Sequence, residues 1–166
     1  MERLFIVKDK KEAKILVVDD DRQLADNLVE YLSKLGYQAS PAYAGREGLV
    51  KFQQGDFQLV ITDLKMPEMD GMELLDAVSR LDSRVIVMVI TGYGTIGSAV
   101  DAIKRGAYDY IPKPFKMEEL EIIVKRALER HTLIRQLGIF RGLTLALVIS
   151  VPFWLILGIV LALVLK

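Results

Sequence analysis

The feature that most constrains this chain is a regular alternation, from Lys14 to about Arg135, of short apolar runs with amphipathic stretches. The runs are ILVV (15–18), YQASPA (37–42), FQLVIT (57–62), RVIVMVI (84–90) and AYDYIP (107–112). Three of the five carry β-branched residues on both parities, as strands covered on both faces do; the second and fifth are mixed and belong nearer an edge. Between the first two runs, DRQLADNLVEYLSKLG sets Leu24, Leu28, Tyr31, Leu32 and Leu35 at helical spacing and stops at Gly36. GREGLVKFQQG, GMELLDAVSRL and TIGSAVDAIKRG read as the next three helices. A fifth starts near Met117, with Leu120, Ile123, Val124, Ala127 and Leu128 as its apolar stripe. Such alternation predicts an α/β fold with a parallel sheet covered on both faces.

In an open α/β sheet, ligands bind at the carboxyl ends of the strands, so the polar residues there carry the chemistry. Asp19, Asp20 and Asp21 follow the first run, Asp63 the third, Thr91 the fourth and Lys113 the fifth. Asp21, directly before a helix, is expected to be its N-cap. Capping explains too little of Asp19, Asp20 and Asp63: clustered carboxylates repel unless a cation sits among them, and a hard ion such as Mg²⁺ takes oxygen ligands. A carboxylate beside such an ion can attack a phosphoryl group, while an ammonium offsets the phosphate charge and a hydroxyl donates to a phosphoryl oxygen. Asp63, Lys113 and Thr91 supply those three parts.

Other chemistries fit less well. TGYGTIG spells G-x-G-x-x-G through Gly92, Gly94 and Gly97, yet it follows the fourth strand rather than the first, and the next strand ends in Lys113 rather than an acid. The glycines therefore read as a mobile loop that lets Thr91 shift, not as a dinucleotide-binding turn. With no cysteine and only one histidine, thiolate metal sites, disulfides and thiol nucleophiles are excluded. His131, in a charged helical stretch, reads as a solvated or linker residue. Lys and Arg number 22 against 22 Asp and Glu. Since only Arg141 and Lys166 lie beyond Gln136, the front part holds 20 basic and 22 acidic residues, net −2. No clustered basic face suggests a nucleic-acid groove.

Taken together, ILVVDDD, VITDLKMPEMDGMELL, VITGYG and DYIPKPF resemble, in order and spacing over residues 14 to about 130, the receiver domain of two-component response regulators. The resemblance implies a flavodoxin-like, doubly wound five-stranded sheet of order 2-1-3-4-5, with Asp63 phosphorylated by a histidine kinase or phosphotransfer partner. It implies that Asp20, Asp63 and the backbone carbonyl of Lys65 bind Mg²⁺, with Asp19 assisting through water. Lys113 would contact the phosphate, Thr91 would turn its hydroxyl to the phosphoryl group, and Tyr110 would rotate inward as Thr91 moves. The bond from Lys113 to Pro114 is expected to be cis. Such a domain is a phosphoacceptor that assists its own phosphorylation and dephosphorylation rather than a turnover enzyme. The side chain of Lys65 could screen the attacking water or point to solvent.

The ends are read separately. Residues 1–13 are expected to be a loose leader, 14–130 the receiver and 131–141 a stalk. GLTLALVISVPFWLILGIVLALVL, Gly142 to Leu165, is 24 residues without a charged side chain. As a helix it would rise about 36 Å, enough to cross a hydrocarbon core of about 30 Å. Arg126, Arg130, Arg135 and Arg141 precede it and only Lys166 follows, so the positive-inside rule places the receiver on the cytoplasmic side of a bacterial or archaeal inner membrane. Pro152 predicts a kink, and Trp154 lies near the middle of the span rather than at an interface. Gly138 and Gly142 form a G-x-x-x-G at its entrance, compatible with a homodimer. Two alternatives stand beside the anchored switch: a soluble or oligomeric receiver whose apolar tail is a partner-binding helix, and a Mg²⁺-dependent aspartyl phosphatase. The phosphatase is disfavoured because Lys65 occupies the place, two residues after the nucleophile, where a general acid is wanted.

Overall fold

The computed structural model describes residues 13–92, 94–132 and Ser150. Contacts divide the chain into units Met1–His131 and Thr132–Lys166, and nearly all described residues belong to the first. The predicted leader, stalk and apolar span lie outside them apart from Ala13, His131, Thr132 and Ser150. Among the described residues no helix is long and apolar enough to cross a membrane.

Strands β1 (Lys14–Val18), β2 (Gln38–Ala42), β3 (Leu59–Asp63), β4 (Ile86–Thr91) and β5 (Asp109–Pro112) alternate with helices α1 (Arg22–Lys34), α2 (Gly45–Gln54), α3 (Gly71–Leu81) and α4 (Ile96–Lys104). A fifth helix, α5, covers 117–132. All strand pairs are parallel, in the order β2-β1-β3-β4-β5. The expected order is therefore found, and so is the division into central and edge strands: β3 and β4 are buried throughout and β1 nearly so, whereas β2 and β5 are partly exposed. Both edge strands carry a proline, Pro41 and Pro112, which a central strand would reject because proline cannot donate to the ladder.

Alternation along the strands sorts the core. Ile15, Val17, Leu59 and Ile61 pack with Ala25, Leu28 and Leu32 of α1 and with Leu120, Val124 and Ala127 of α5. Leu16, Val18 and Val60 pack on the other face with Phe52 of α2, Leu74, Leu75 and Val78 of α3, and Ala102 of α4. Period-two strands meeting period-3.6 helices on both faces is the physical content of the doubly wound fold.

Helix ends follow their local chemistry. Asp21 Oδ1 accepts from the Leu24 amide at 3.1 Å, as expected of a cap. At α3, Asp70 Oδ1 accepts from the amides of Met72 and Glu73, and Glu73 Oε2 accepts from the Asp70 amide, a complete capping box. Gly36 and Gly106 follow α1 and α4 with φ of +95° and +100°, a left-handed conformation that only glycine adopts at no steric cost.

Candidate functional site

The carboxyl ends of β1, β3, β4 and β5 lie side by side along one rim of the sheet. The register pairs Val18 with Thr62, Asp63 with Ile90 and Thr91 with Pro112. Asp63 and Thr91 are the last residues of their strands rather than the first of the loops that follow, so the sheet itself sets their positions.

Asp19 and Asp63 are 3% and 6% exposed. Two ionised carboxylates buried side by side are costly unless compensated. Compensation comes from Lys113, at the end of β5, whose Nζ donates to Asp19 Oδ2 at 2.7 Å and to Asp63 Oδ1 at 2.8 Å. The remaining oxygens are held by backbone: the Asp21 amide donates to Asp19 Oδ1 at 3.0 Å and the Lys65 amide to Asp63 Oδ2 at 2.7 Å. Burial pushes the Asp19 carboxyl above its ordinary pKa, against the opposing pull of its hydrogen bonds from Lys113 and the Asp21 amide. For Lys113, burial alone would lower the ammonium, but its hydrogen bonds to Asp19 and Asp63 outweigh that and hold it above its ordinary value. The peptide bond between Lys113 and Pro114 is cis.

The loop after Asp63 is fixed by close approach. The Gly71 amide donates to the Leu64 carbonyl at 2.9 Å. A Cβ built on Gly71 would lie 2.1 Å from the Asp63 carbonyl oxygen, so the start of α3 presses directly on the backbone of the acid. The Asp70-Gly71 pair reads in sequence as simple turn chemistry; the pressure on Asp63 is visible only in three dimensions.

The metal expectation meets a specific arrangement. Asp20 is exposed, and among the described residues no three acidic or histidine side chains are gathered into a metal-holding group. The two buried carboxylates converge instead on one ammonium, that of Lys113. The donor chemistry nevertheless fits Mg²⁺: every side-chain donor is a carboxylate oxygen, and the place where Asp19 and Asp63 meet already accommodates a cation.

Thr91 is fully buried at the end of β4. Tyr110, on β5, is half-buried against the core face that α4 covers. Its Oη lies 2.9 Å from Ser98 Oγ in the first turn of α4. Sequence reasoning passed over Ser98, although Thr95-x-x-Ser98 has the spacing of a capping box. The structure contains that box, with Thr95 Oγ1 accepting from the Ser98 amide and Ser98 Oγ from the Thr95 amide.

Comparison with known proteins gives the same frame. The family model described as "Response regulator receiver domain" matches residues 15–125. The regulatory protein AtoC of Escherichia coli K12 is 34% identical over 124 residues, covering 75% of this chain and 27% of that protein. The nitrogen assimilation regulatory protein NtrX of Azorhizobium caulinodans is 39% identical over 132 residues, covering 78% and 29%. This chain thus spans a little over a quarter of the length of these curated relatives. Among solved structures, a response regulator receiver domain protein from Clostridium thermocellum superposes with a TM-score of 0.70 at 34% identity, covering 74% of this chain and 98% of that one. With its sheet order, its rim of acids and lysine, and these likenesses in agreement, the chain belongs to the response regulator receiver domain family.

Proposed function

We propose that this protein is a phosphoryl-accepting switch of a two-component system, with Asp63 as the acceptor. The observation that carries the reading is the Lys113 ammonium bridging Asp19 and Asp63 at 2.7 and 2.8 Å on the carboxyl rim of the sheet. A carboxylate oxygen of Asp63 attacks phosphorus and forms an acyl phosphate. The bond from phosphorus to the donor nitrogen of a kinase or phosphotransfer histidine breaks, and its electron pair stays on that nitrogen. Hydrogen bonds from Lys113 and from the Lys65 amide orient the carboxylate before attack, and Lys113 then offsets charge on the phosphoryl oxygens. Thr91, one strand away, supplies a hydroxyl to a phosphoryl oxygen, and Tyr110 follows it inward. Asp20, Asp63 and the Lys65 carbonyl, with Asp19 assisting, would hold Mg²⁺, which when bound supplies positive charge against the incoming phosphoryl group. The chain assists its own phosphorylation and dephosphorylation rather than turning over a separate substrate.

The readout is the surface built from α4, β5 and α5, which a partner reads. The uncharged stretch 142–165, preceded by four arginines, supports anchoring in a bacterial or archaeal inner membrane with the receiver on the cytoplasmic side. Resistance of the full chain to alkaline carbonate extraction is the expected result; release into the supernatant would replace the anchor with a partner-binding helix. The acceptor reading is tested by intact-mass measurement after incubation with acetyl phosphate and Mg²⁺. The protein should gain one phosphoryl group. Asp63→Asn, or chelation of the metal, should prevent the gain, and equal labelling of the Asp63→Asn variant would overturn the assignment.

A further inference from the structure

Tyr110 is tied to α4 by one side-chain hydrogen bond, between its hydroxyl and that of Ser98. A serine hydroxyl has one proton and two lone pairs. Around Ser98 Oγ lie the Thr95 carbonyl at 2.9 Å, the Thr95 amide at 2.9 Å, Thr95 Oγ1 at 3.1 Å and Tyr110 Oη at 2.9 Å. Four polar atoms thus share one proton and two lone pairs, and Tyr110 holds one of the places on a fully engaged oxygen. A second feature shapes the same place: a Cβ built on Gly94 would sit 3.3 Å from Tyr110 Oη and 3.4 Å from Cε1, so a larger residue there would crowd the ring.

We infer that Ser98, with Gly94 beside the hydroxyl end of the ring, is a positioning residue that seats Tyr110 in the phosphate-free arrangement and thereby restrains the switch before phosphorylation. The link from seat to switch rests on the phosphoacceptor reading above; the seat itself does not. Because the serine also closes the capping box of α4, moving Tyr110 inward removes one hydrogen-bond partner from the residue that orders the first turn of that helix. A tyrosine movement is thereby coupled to the N-terminus of α4 through one oxygen atom.

Three variants separate the seat from the cap. Ser98→Ala removes both, Thr95→Ala removes the threonine half of the cap and leaves the tyrosine contact, and Ser98→Thr restores the hydroxyl. Two quantities are measured on the full chain: the Tyr110 ring resonances without phosphodonor, and the affinity for beryllofluoride with Mg²⁺, a phosphoryl mimic. In Ser98→Ala the ring resonances should shift and beryllofluoride should bind about five-fold more tightly, the worth of one net hydrogen bond. Thr95→Ala should leave the ring unmoved, and Ser98→Thr should return both quantities toward wild type. Unmoved ring resonances in Ser98→Ala, or an equal shift in Thr95→Ala, would overturn the inference. If wild type does not bind beryllofluoride while the ring still responds to Ser98→Ala alone, the seat stands and the phosphoacceptor reading falls.

Discussion

The rim has two halves that are built differently. On the β1–β3 side, Asp63 ends a fully buried strand and Asp19 follows a nearly fully buried one, each of their four carboxylate oxygens has a donor, and α3 buries five of its eleven residues. On the β4–β5 side, α4 buries only Ala102 of its nine residues and exposes Ile96, Val100 and Ile103, with Ile96 at 87%. Tyr110 there is joined to α4 by one hydroxyl pair. Few buried apolar contacts are the physical mark of a segment that opens or shifts at low cost. On the proposed reading, the attacking carboxylate stands on the over-determined half and Tyr110 on the lightly packed one, so that the second can change without disturbing the first.

The comparison can be broken most severely at Lys113. Lys113→Ala leaves two buried carboxylates facing each other, and a loss of about 3 kcal/mol is expected, at the low end for a broken buried pair because the lysine side chain retains 24% exposure. Chemical denaturation at neutral pH checks it. The loss should shrink in acid as Asp19, whose carboxyl burial already holds above its ordinary pKa, takes up a proton. In the wild type, the folded pKa of Lys113 is raised above 10.5. Its contribution is therefore complete below the ordinary lysine value and disappears as pH climbs through the raised one.

Packing supplies the next contrast. Leu75→Ala in α3 should cost about 2–5 kcal/mol, whereas Ile96→Ala on α4 should stay within about 0.5 kcal/mol; similar losses at both positions would erase the distinction between the halves. Gly71→Ala sharpens it further. The added methyl presses on the Asp63 carbonyl, so a loss of about 1–3 kcal/mol is expected from overpacking, together with slower phosphorylation by acetyl phosphate. The smallest effect is reserved for Asp20→Asn. Since Asp20 is exposed, thermal stability without metal should hardly move, while Mg²⁺-dependent phosphorylation falls.

What could be read from sequence follows the same division. Strand cores announce themselves because β-branched residues on both parities have few other uses, and the residues that end those strands inherit the rim automatically. Asp19, Asp63 and Thr91 were therefore legible from position alone, and Lys113 from its place after the mixed fifth run. The edge strands were read from their mixed composition; the prolines at 41 and 112, which lack the amide a central ladder needs, agree with that placement. Gly71 was not legible as a packing residue, because its contact with the Asp63 carbonyl depends on the angle at which α3 leaves the loop. Ser98 carried a signal in the T-x-x-S spacing, but its second partner, Tyr110, is twelve residues away on a strand. The grouping of Asp19, Asp20 and Asp63 was read from their places at neighbouring strand ends; in the fold Lys113 bridges Asp19 and Asp63, and Asp20 stands exposed beside them in sequence.

The most direct test of the account is hydrogen exchange of the full chain with and without beryllofluoride and Mg²⁺, in wild type and Asp63→Asn. The account predicts altered protection in the β4–α4 loop, the first turn of α4 and β5, little change in the amides of β1 and α3, and no response in the variant. A uniform change across both halves, or the same response in Asp63→Asn, would contradict it.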